Sequence, residues 1–177
     1  MFQATLFENV RKILQEFGAP LLDGIKITLY LSLVGTVVGF ILAMVFANLR
    51  IMKVHKKDHF FVKLLKYAGM IFTRIYVTVI RGTPMIVQAV IFYYSFYQMG
   101  IRWSPLQAGL FTVSVNTTAY LTEVIRGAIL AIDKGQQEAA RSLGMNYTKT
   151  MIFVILPQAI KNSMAPIGNE FIINIKD

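Results

Sequence analysis

Cysteine is absent from the 177 residues, which excludes a disulfide framework, a thiolate metal site and a cysteine nucleophile. Charge is scarce: 15% of the residues are Asp, Glu, Lys or Arg, against about 25% in an average soluble domain. Acids are scarcer than bases, 9 against 18, leaving a net charge of +9. The only histidines, His55 and His59, lie four apart among lysines. With no further ligand nearby they read as part of a solvated basic face, so no metal site is expected. The nucleotide-binding pattern G-x-x-x-x-G-K-[ST] is missing, so the chain itself is not expected to hydrolyse ATP. No serine has a histidine or lysine partner at membrane depth and no pair of aspartates occurs there, which argues against an intramembrane protease.

Apolar residues are abundant instead. They make up 55% of the chain, more than a soluble globule of this size can cover. Ile27 to Leu49 is an uncharged run of 23 residues bracketed by Lys26 and Arg50; as a helix it would span roughly 35 Å, enough for the hydrocarbon core. Within it Gly35 and Gly39 form a small-xxx-small pair suited to close helix approach. A second stretch, Tyr67 to Ile101, is interrupted by Arg74 and Arg81, and Gly82-Thr83-Pro84 should break or kink it. Tyr93, Tyr94, Tyr97 and Trp103 near its end resemble an interfacial aromatic belt. A third stretch runs from Trp103 to about Ile132, where Asp133-Lys134-Gly135 makes a turn. A fourth, from about 150 to 175, contains Lys161, Glu170, Pro157 and Pro166. The expected fold is all-α: a polytopic integral membrane helix bundle in a lipid bilayer.

Charge sets the expected orientation. Residues 50–66 carry six Lys/Arg and one acid, Asp58, whereas residues 1–26 carry three of each sign. The positive-inside rule places 50–66 in the cytoplasm and the N-terminus outside, with 133–150 cytoplasmic again. Residues 1–26 form an external N-terminal segment whose mixed charge and loose apolar period suit an interfacial helix. Residues 27–177 form the transmembrane domain. Because the basic run lies between apolar runs, with no RNA-binding signature, no nucleic-acid partner is expected.

One cytoplasmic stretch is specific: Glu138-Ala139-Ala140, three residues, Gly144, nine residues, then Val154-Ile155-Leu156-Pro157. It resembles the EAA loop of ABC importer permeases, E-A-A-x3-G-x9-I-x-L-P, with Val154 in place of the usual Ile. Ile80-Arg81-Gly82-Thr83-Pro84, Asn116-Thr117-Thr118-Ala119-Tyr120, Glu123 with Arg126-Gly127, and Gly168-Asn169-Glu170-Phe171 through Ile175-Lys176-Asp177 are similar to the polar amino-acid uptake permeases of the histidine, glutamine and arginine type. The resemblance extends from Gly24 onward. It implies a core of five helices, of which about four are present here, so the chain is expected to be C-terminally truncated.

The resemblance also implies a bacterial cytoplasmic (inner) membrane location and a non-enzymatic transporter subunit. The partners it implies are an ABC ATPase subunit dimer, an extracytoplasmic amino-acid-binding protein, and a second permease copy or sister permease. No cofactor is expected on this chain, ATP being bound by the partner ATPase. The loop at 133–157 would couple to that ATPase through Glu138, Ala139, Ala140, Gly144, Leu156 and Pro157. Intramembrane polar residues are functional suspects by default, which nominates Asn116, Thr117, Asn162, Met164 and Asn169 for the substrate path. Glu123 and Arg126, three apart, are expected to pair, and Arg81 to anchor the kinked helix. A secondary transporter, or a membrane assembly protein without ATPase coupling, is the alternative. Neither needs a coupling loop, and no inverted repeat is seen.

Overall fold

The computed structural model describes residues 2–52, 54 and 58–176. His55 and the basic-loop residues Lys53, Lys56 and Lys57, like Asp177, lie outside the described residues. Among the described residues seven α-helices follow one another: α1 (Phe2–Ile51), α2 (Phe60–Arg81), α3 (Met85–Gln98), α4 (Pro105–Leu130), α5 (Lys134–Ser142), α6 (Tyr147–Thr150) and α7 (Leu156–Lys176). A π-helical turn, Met151–Ile155, joins α6 to α7.

The first helix is continuous where a boundary was expected near Lys26. Its 50 residues amount to roughly 75 Å, more than twice the hydrocarbon thickness. Pro20 sits inside it without ending it, and Lys26 pairs with Asp23 one turn back at 2.9 Å. Residues 2–26 therefore extend the first span as helix. From Glu8 to Ile51 this helix is long and apolar enough to cross a membrane; α2 and α3 meet the same criterion together, bent by 111° at their junction.

The fourth helix is the centre of the bundle. A capping box starts it: Gln107 N donates to Ser104 Oγ at 3.3 Å, and Ser104 N donates to Gln107 Oε1 at 2.9 Å. Its inward face is rich in hydroxyls rather than large hydrophobes, with Thr112, Ser114, Thr117, Thr118 and Thr122 all buried. Several are satisfied within the helix, Thr118 Oγ1 donating to Ser114 O and Thr122 Oγ1 to Thr118 O, both at 2.6 Å. Small and hydroxyl side chains let membrane helices approach closely. The first helix takes that opportunity: a Cβ added at Gly39 would sit 2.8 Å from Thr117 Cβ. Gly35 meets Val113 in the same register, so α1 and α4 run parallel.

The last helix runs antiparallel to both. Its N-terminal part contributes Ala159 to a core with Ala43, Ala47, Leu121, Ile125, Met151 and Ile155. Its C-terminal part brings Asn174 to Thr36 and Thr117. The second helix lies across α1 and α4. Tyr76 packs edge-on against Phe46 at 5.2 Å and donates its hydroxyl to Val115 O at 2.5 Å, and the Arg81 guanidinium lies 5.0 Å from the Tyr120 ring. The third helix then climbs antiparallel along the first half of α4, through Phe92 against Phe111 at 5.2 Å and Phe96 against Trp103 at 4.2 Å.

Candidate functional site

Where α1, α3, α4 and α7 converge they enclose a cavity of about 900 Å³. Its wall is mixed. Thr28, Ser32, Thr112, Asn116, Glu170 and Asn174 contribute polar groups, and Leu31, Met85, Ile86, Val113 and Ile173 apolar ones. Glu170 is 8% exposed. Among the described residues that line the cavity it is the only carboxylate, and Lys176, two turns along α7, is the only amine.

The corner between α2 and α3 forms one side of this cavity. Pro84 has no N–H, so Ile80 O loses the donor that a continuous helix would supply. Gln88, one turn into α3 and 4% exposed, makes good that loss. Its Nε2 donates to Ile80 O at 2.7 Å, to Thr83 O at 2.9 Å and to Thr83 Oγ1 at 2.8 Å. Its Oε1 accepts from Asn116 Nδ2 at 3.1 Å. The broken helix is thereby fastened to α4 at the edge of the cavity.

A second candidate region lies at the opposite end of the bundle. Asp133 caps α5, its Oδ1 accepting from Gly135 N at 2.6 Å. The helix ends on Gly144, which adopts φ +83°. Met145 N donates to Ala140 O at 3.2 Å and Gly144 N to Arg141 O at 3.0 Å. That pair of bonds is the Schellman termination, which requires a left-handed residue where glycine is least strained. Asn146 then caps α6, accepting from Lys149 N at 2.9 Å. The result is a compact helix-turn-helix unit. Burial pushes the Tyr147 phenol up against the opposing pull of Lys66, so the start of α2 lies beside it.

The expected site residues fall into separate groups. Asn116 lines the cavity. Thr117 is fully buried and accepts from Asn174 Nδ2 at 2.9 Å. Asn162, Met164 and Asn169 are exposed and do not line the cavity, the two asparagines on one flank of α7 and Met164 on the other. In the α5–α6 unit Glu138, Ala139 and Gly144 are exposed, whereas Ala140 is 4% exposed and packs inward. Leu143, 82% exposed, takes the outward place that had been expected of Ala140. Leu156-Pro157 follows the π turn without breaking the helical path. The expected Glu123–Arg126 pair is formed at 2.8 Å, and Arg50 of α1 joins it on Glu123 Oε1.

Gln88, Glu170 and Asn174 were not singled out from the sequence as site residues. Signals existed. Gln88 is an amide inside the uncharged run Gly82 to Ile101, four residues after a proline, and Asn174 stands alone between isoleucines. Among the described residues there is no group of three or more His, Cys, Asp or Glu that could hold a metal ion.

Comparison with known proteins bears on what these two regions are. Residues 67–177 match the model of the binding-protein-dependent transport system inner membrane component family. The chain belongs to that family. Among curated relatives of this transport component, the L-cystine transport system permease protein TcyB of Bacillus subtilis is 37% identical over 92% of the chain and 64% of its own length. The glutamine transport system permease protein GlnP of Escherichia coli is 33% identical over 89% of the chain and 67% of its own length. The chain thus spans about two thirds of the length of these relatives. An amino acid ABC transporter crystallised with histidines contains a chain that superposes with TM-score 0.73 at 34% identity, over 92% of this chain and 71% of that one. The inward-facing MetNI methionine ABC transporter shares the fold, with TM-score 0.69 at 20% identity over 88% and 70%.

Proposed function

We propose that the chain is the transmembrane permease subunit of an ATP-driven, binding-protein-dependent importer of polar amino acids. The observation that carries this reading is the pairing of a mixed-walled, carboxylate-bearing cavity between the helices with an exposed helix-turn-helix unit at the opposite end of the bundle. A pore without an energy-coupling partner needs the first but not the second. The cavity offers an amino acid complementary charge: Glu170 for its ammonium group and Lys176 for its carboxylate. Its volume of about 900 Å³ is ample for one amino acid with water, since ligand pockets run from ~300 to 1,000 Å³.

The exposed edge formed by Glu138, Ala139, Leu143 and Gly144 is the contact for a separate ATPase dimer, which binds and hydrolyses the ATP. Leu156 and Pro157 carry its movement into α7. Exposed Asn162 and Asn169, on one flank of α7, face a second permease copy or sister permease across the shared substrate path, and Met164 borders that path from the other flank. An extracytoplasmic binding protein delivers the amino acid at the end where Thr28 and Lys176 lie. The N-terminus is external, and residues 50–66 and 133–150 are cytoplasmic.

Reconstitution of the full-length permease into proteoliposomes with its ATPase, in the presence and absence of the binding protein, tests this. Amino-acid accumulation that requires both ATP and the binding protein is expected. Accumulation driven by a sodium or proton gradient without the ATPase would replace this reading with a secondary transporter.

A further inference from the structure

The network at the α2–α3 corner has a direction, because two of its members can act in only one way. The backbone carbonyls of Ile80 and Thr83 accept hydrogen bonds and cannot donate. They compel Gln88 to turn its Nε2 toward them, at 2.7 and 2.9 Å. The other end of the same amide, Oε1, is then an acceptor aimed at α4. Asn116 answers with its donor, Nδ2, at 3.1 Å. One of the two Nδ2 hydrogens is thereby committed, and the Asn116 amide is held with Nδ2 toward Gln88 and Oδ1 turned away from it, in a side chain that lines the cavity. A side-chain amide whose ends are otherwise interchangeable is thus oriented through Gln88 by the backbone of a broken helix.

We propose that Gln88 is a positioning residue: it fixes the Asn116 amide with its oxygen toward the cavity, so that this part of the wall demands a hydrogen-bond donor from the solute. The inference rests on the reading of the cavity as the amino-acid site. It adds a rule of selection to that site. With Glu170 also an acceptor in the cavity, the wall is matched to the nitrogen-bearing end of a solute, an ammonium or amide N–H. A group that only accepts cannot pair with Asn116 Oδ1 and binds more weakly there, since an unmatched buried polar contact weakens binding far more than a lost methylene.

The test is a pair of substitutions in the full-length permease assembled with its ATPase and binding protein. The probe is the amino acid that the wild-type complex accumulates fastest from an equimolar set of the twenty. Gln88→Met keeps the shape and removes every hydrogen bond. It is expected to raise the half-saturating concentration about tenfold, ~1.4 kcal/mol, with the maximal rate within about twofold. Gln88→Glu adds a pH signature. A protonated carboxyl can donate to Ile80 O or Thr83 O and still accept from Asn116; a carboxylate can only repel those carbonyls.

A carboxylate facing these carbonyl oxygens lacks the donor that the corner requires, whereas the carboxylic acid keeps it. The Gln88→Glu protein therefore works while this carboxyl is protonated and fails once it ionises. Uptake relative to wild type is expected to be nearly complete at about pH 5.5 and to fall about tenfold by about pH 8. The titratable groups among the described residues lining the cavity at the corner are Tyr120 on α4 and Glu170 and Lys176 on α7, with Arg81 of α2 against the Tyr120 ring. Wild type carries them all, so the ratio removes their titration. An unchanged half-saturating concentration in Gln88→Met, or a flat Gln88→Glu to wild-type ratio across this pH range, would overturn the assignment. Should Gln88→Met fail to assemble, the Gln88→Glu ratio decides by itself. Absence of ATP-dependent uptake by wild type would instead remove the importer reading, and the inference with it.

Discussion

Asn174 Nδ2 lies 2.9 Å from Thr117 Oγ1 and donates there, and it donates also to Thr36 Oγ1 at 3.0 Å. One amide near the end of α7 is thus bonded to both α4 and α1, whose parallel packing it straddles. The backbone carbonyl of the same residue accepts from Ser32 Oγ at 2.9 Å. All four residues are buried, and together they hold the C-terminal end of α7 against the interior of α1 and the middle of α4 beside the cavity.

Replacing Asn174 by Leu removes both side-chain bonds and leaves two threonine hydroxyls to find partners elsewhere. The expected loss is about 1–3 kcal/mol, read as a lower melting temperature of the detergent-solubilised permease. In a double-mutant cycle with Thr117→Val the pair should couple by about 0.6–1.7 kcal/mol, the range for hydrogen bonds between membrane helices. Strict additivity would mean that the contact contributes nothing to stability.

The seam between α1 and α4 gives a second expectation. A Cβ at Gly39 would come within 2.8 Å of Thr117, whereas at Gly18 it would meet nothing within 4 Å. Gly39→Ala should destabilise by about 1–3 kcal/mol through overpacking. Gly18→Ala, in an exposed part of the same helix, should stabilise by about 0.5–1 kcal/mol. Thermal melts of the two variants side by side check the contrast, and similar shifts in both would show that the seam yields freely.

Local signals were legible in the sequence, and tertiary ones were not. The break at Gly82-Thr83-Pro84 is written in proline chemistry, and the α5 terminus at Gly144 in a φ that only glycine adopts easily. What could not be read was which side chains answer them. Gln88 is recognisable as the partner of Ile80 O only once α3 is known to turn through 111°, and Asn174 only once α7 is in register with Thr36 and Thr117. Asn162 and Asn169 share α7 with Asn174 but lie on its exposed face. A polar residue in an apolar run says that something is paired or lined, not what. The length of α1 was missed for a different reason. Pro20 and the charges before Lys26 suggest an end, yet Asp23 and Lys26 fall one turn apart and pair along the helix.

Arg50 joins α1 to α4 through Glu123, whose Oε2 also accepts from Arg126 Nε and Nη2 at 2.9 and 2.8 Å. The Glu123 side chain is 19% exposed, so its charge is only partly screened. Glu123→Gln leaves two arginines facing each other across a neutral amide and should cost about 1–3 kcal/mol. Adding Arg50→Met should recover part of that loss, because the second change removes the stranded cation. Equal destabilisation by the single and double variants would show that Arg50 is adequately solvated without Glu123.

The absence of cysteine makes the topology directly testable. Glu16 on α1 and Lys134 at the start of α5 are both exposed and lie at opposite ends of the bundle. Single cysteines placed there should react differently with an impermeant thiol reagent on intact cells. Labelling of Glu16→Cys from outside, and of Lys134→Cys only after permeabilisation, is expected. The reverse pattern would invert every span and place the α5 unit where no cytoplasmic ATPase could reach it.

Gly144 separates two ways in which the α5 turn could matter. Its φ is +83°, and a Cβ built there meets nothing within 4 Å. Within the chain alone, then, a substitution strains the backbone without colliding with anything. For Ala that strain is roughly 1–2 kcal/mol. Asn tolerates the left-handed conformation better than Ala but projects farther from the turn. If Gly144 served only to end α5, Asn would be the milder change. If the turn is pressed into a cleft of the ATPase, its bulk occupies the space where the partner belongs, and Asn becomes the harsher one. The docking reading predicts the second order: ATPase co-purifying with the full-length permease should fall more in Gly144→Asn than in Gly144→Ala, with membrane insertion unchanged in both. The opposite order would confine Gly144 to shaping the turn and move the coupling contact to Glu138, Ala139 and Leu143.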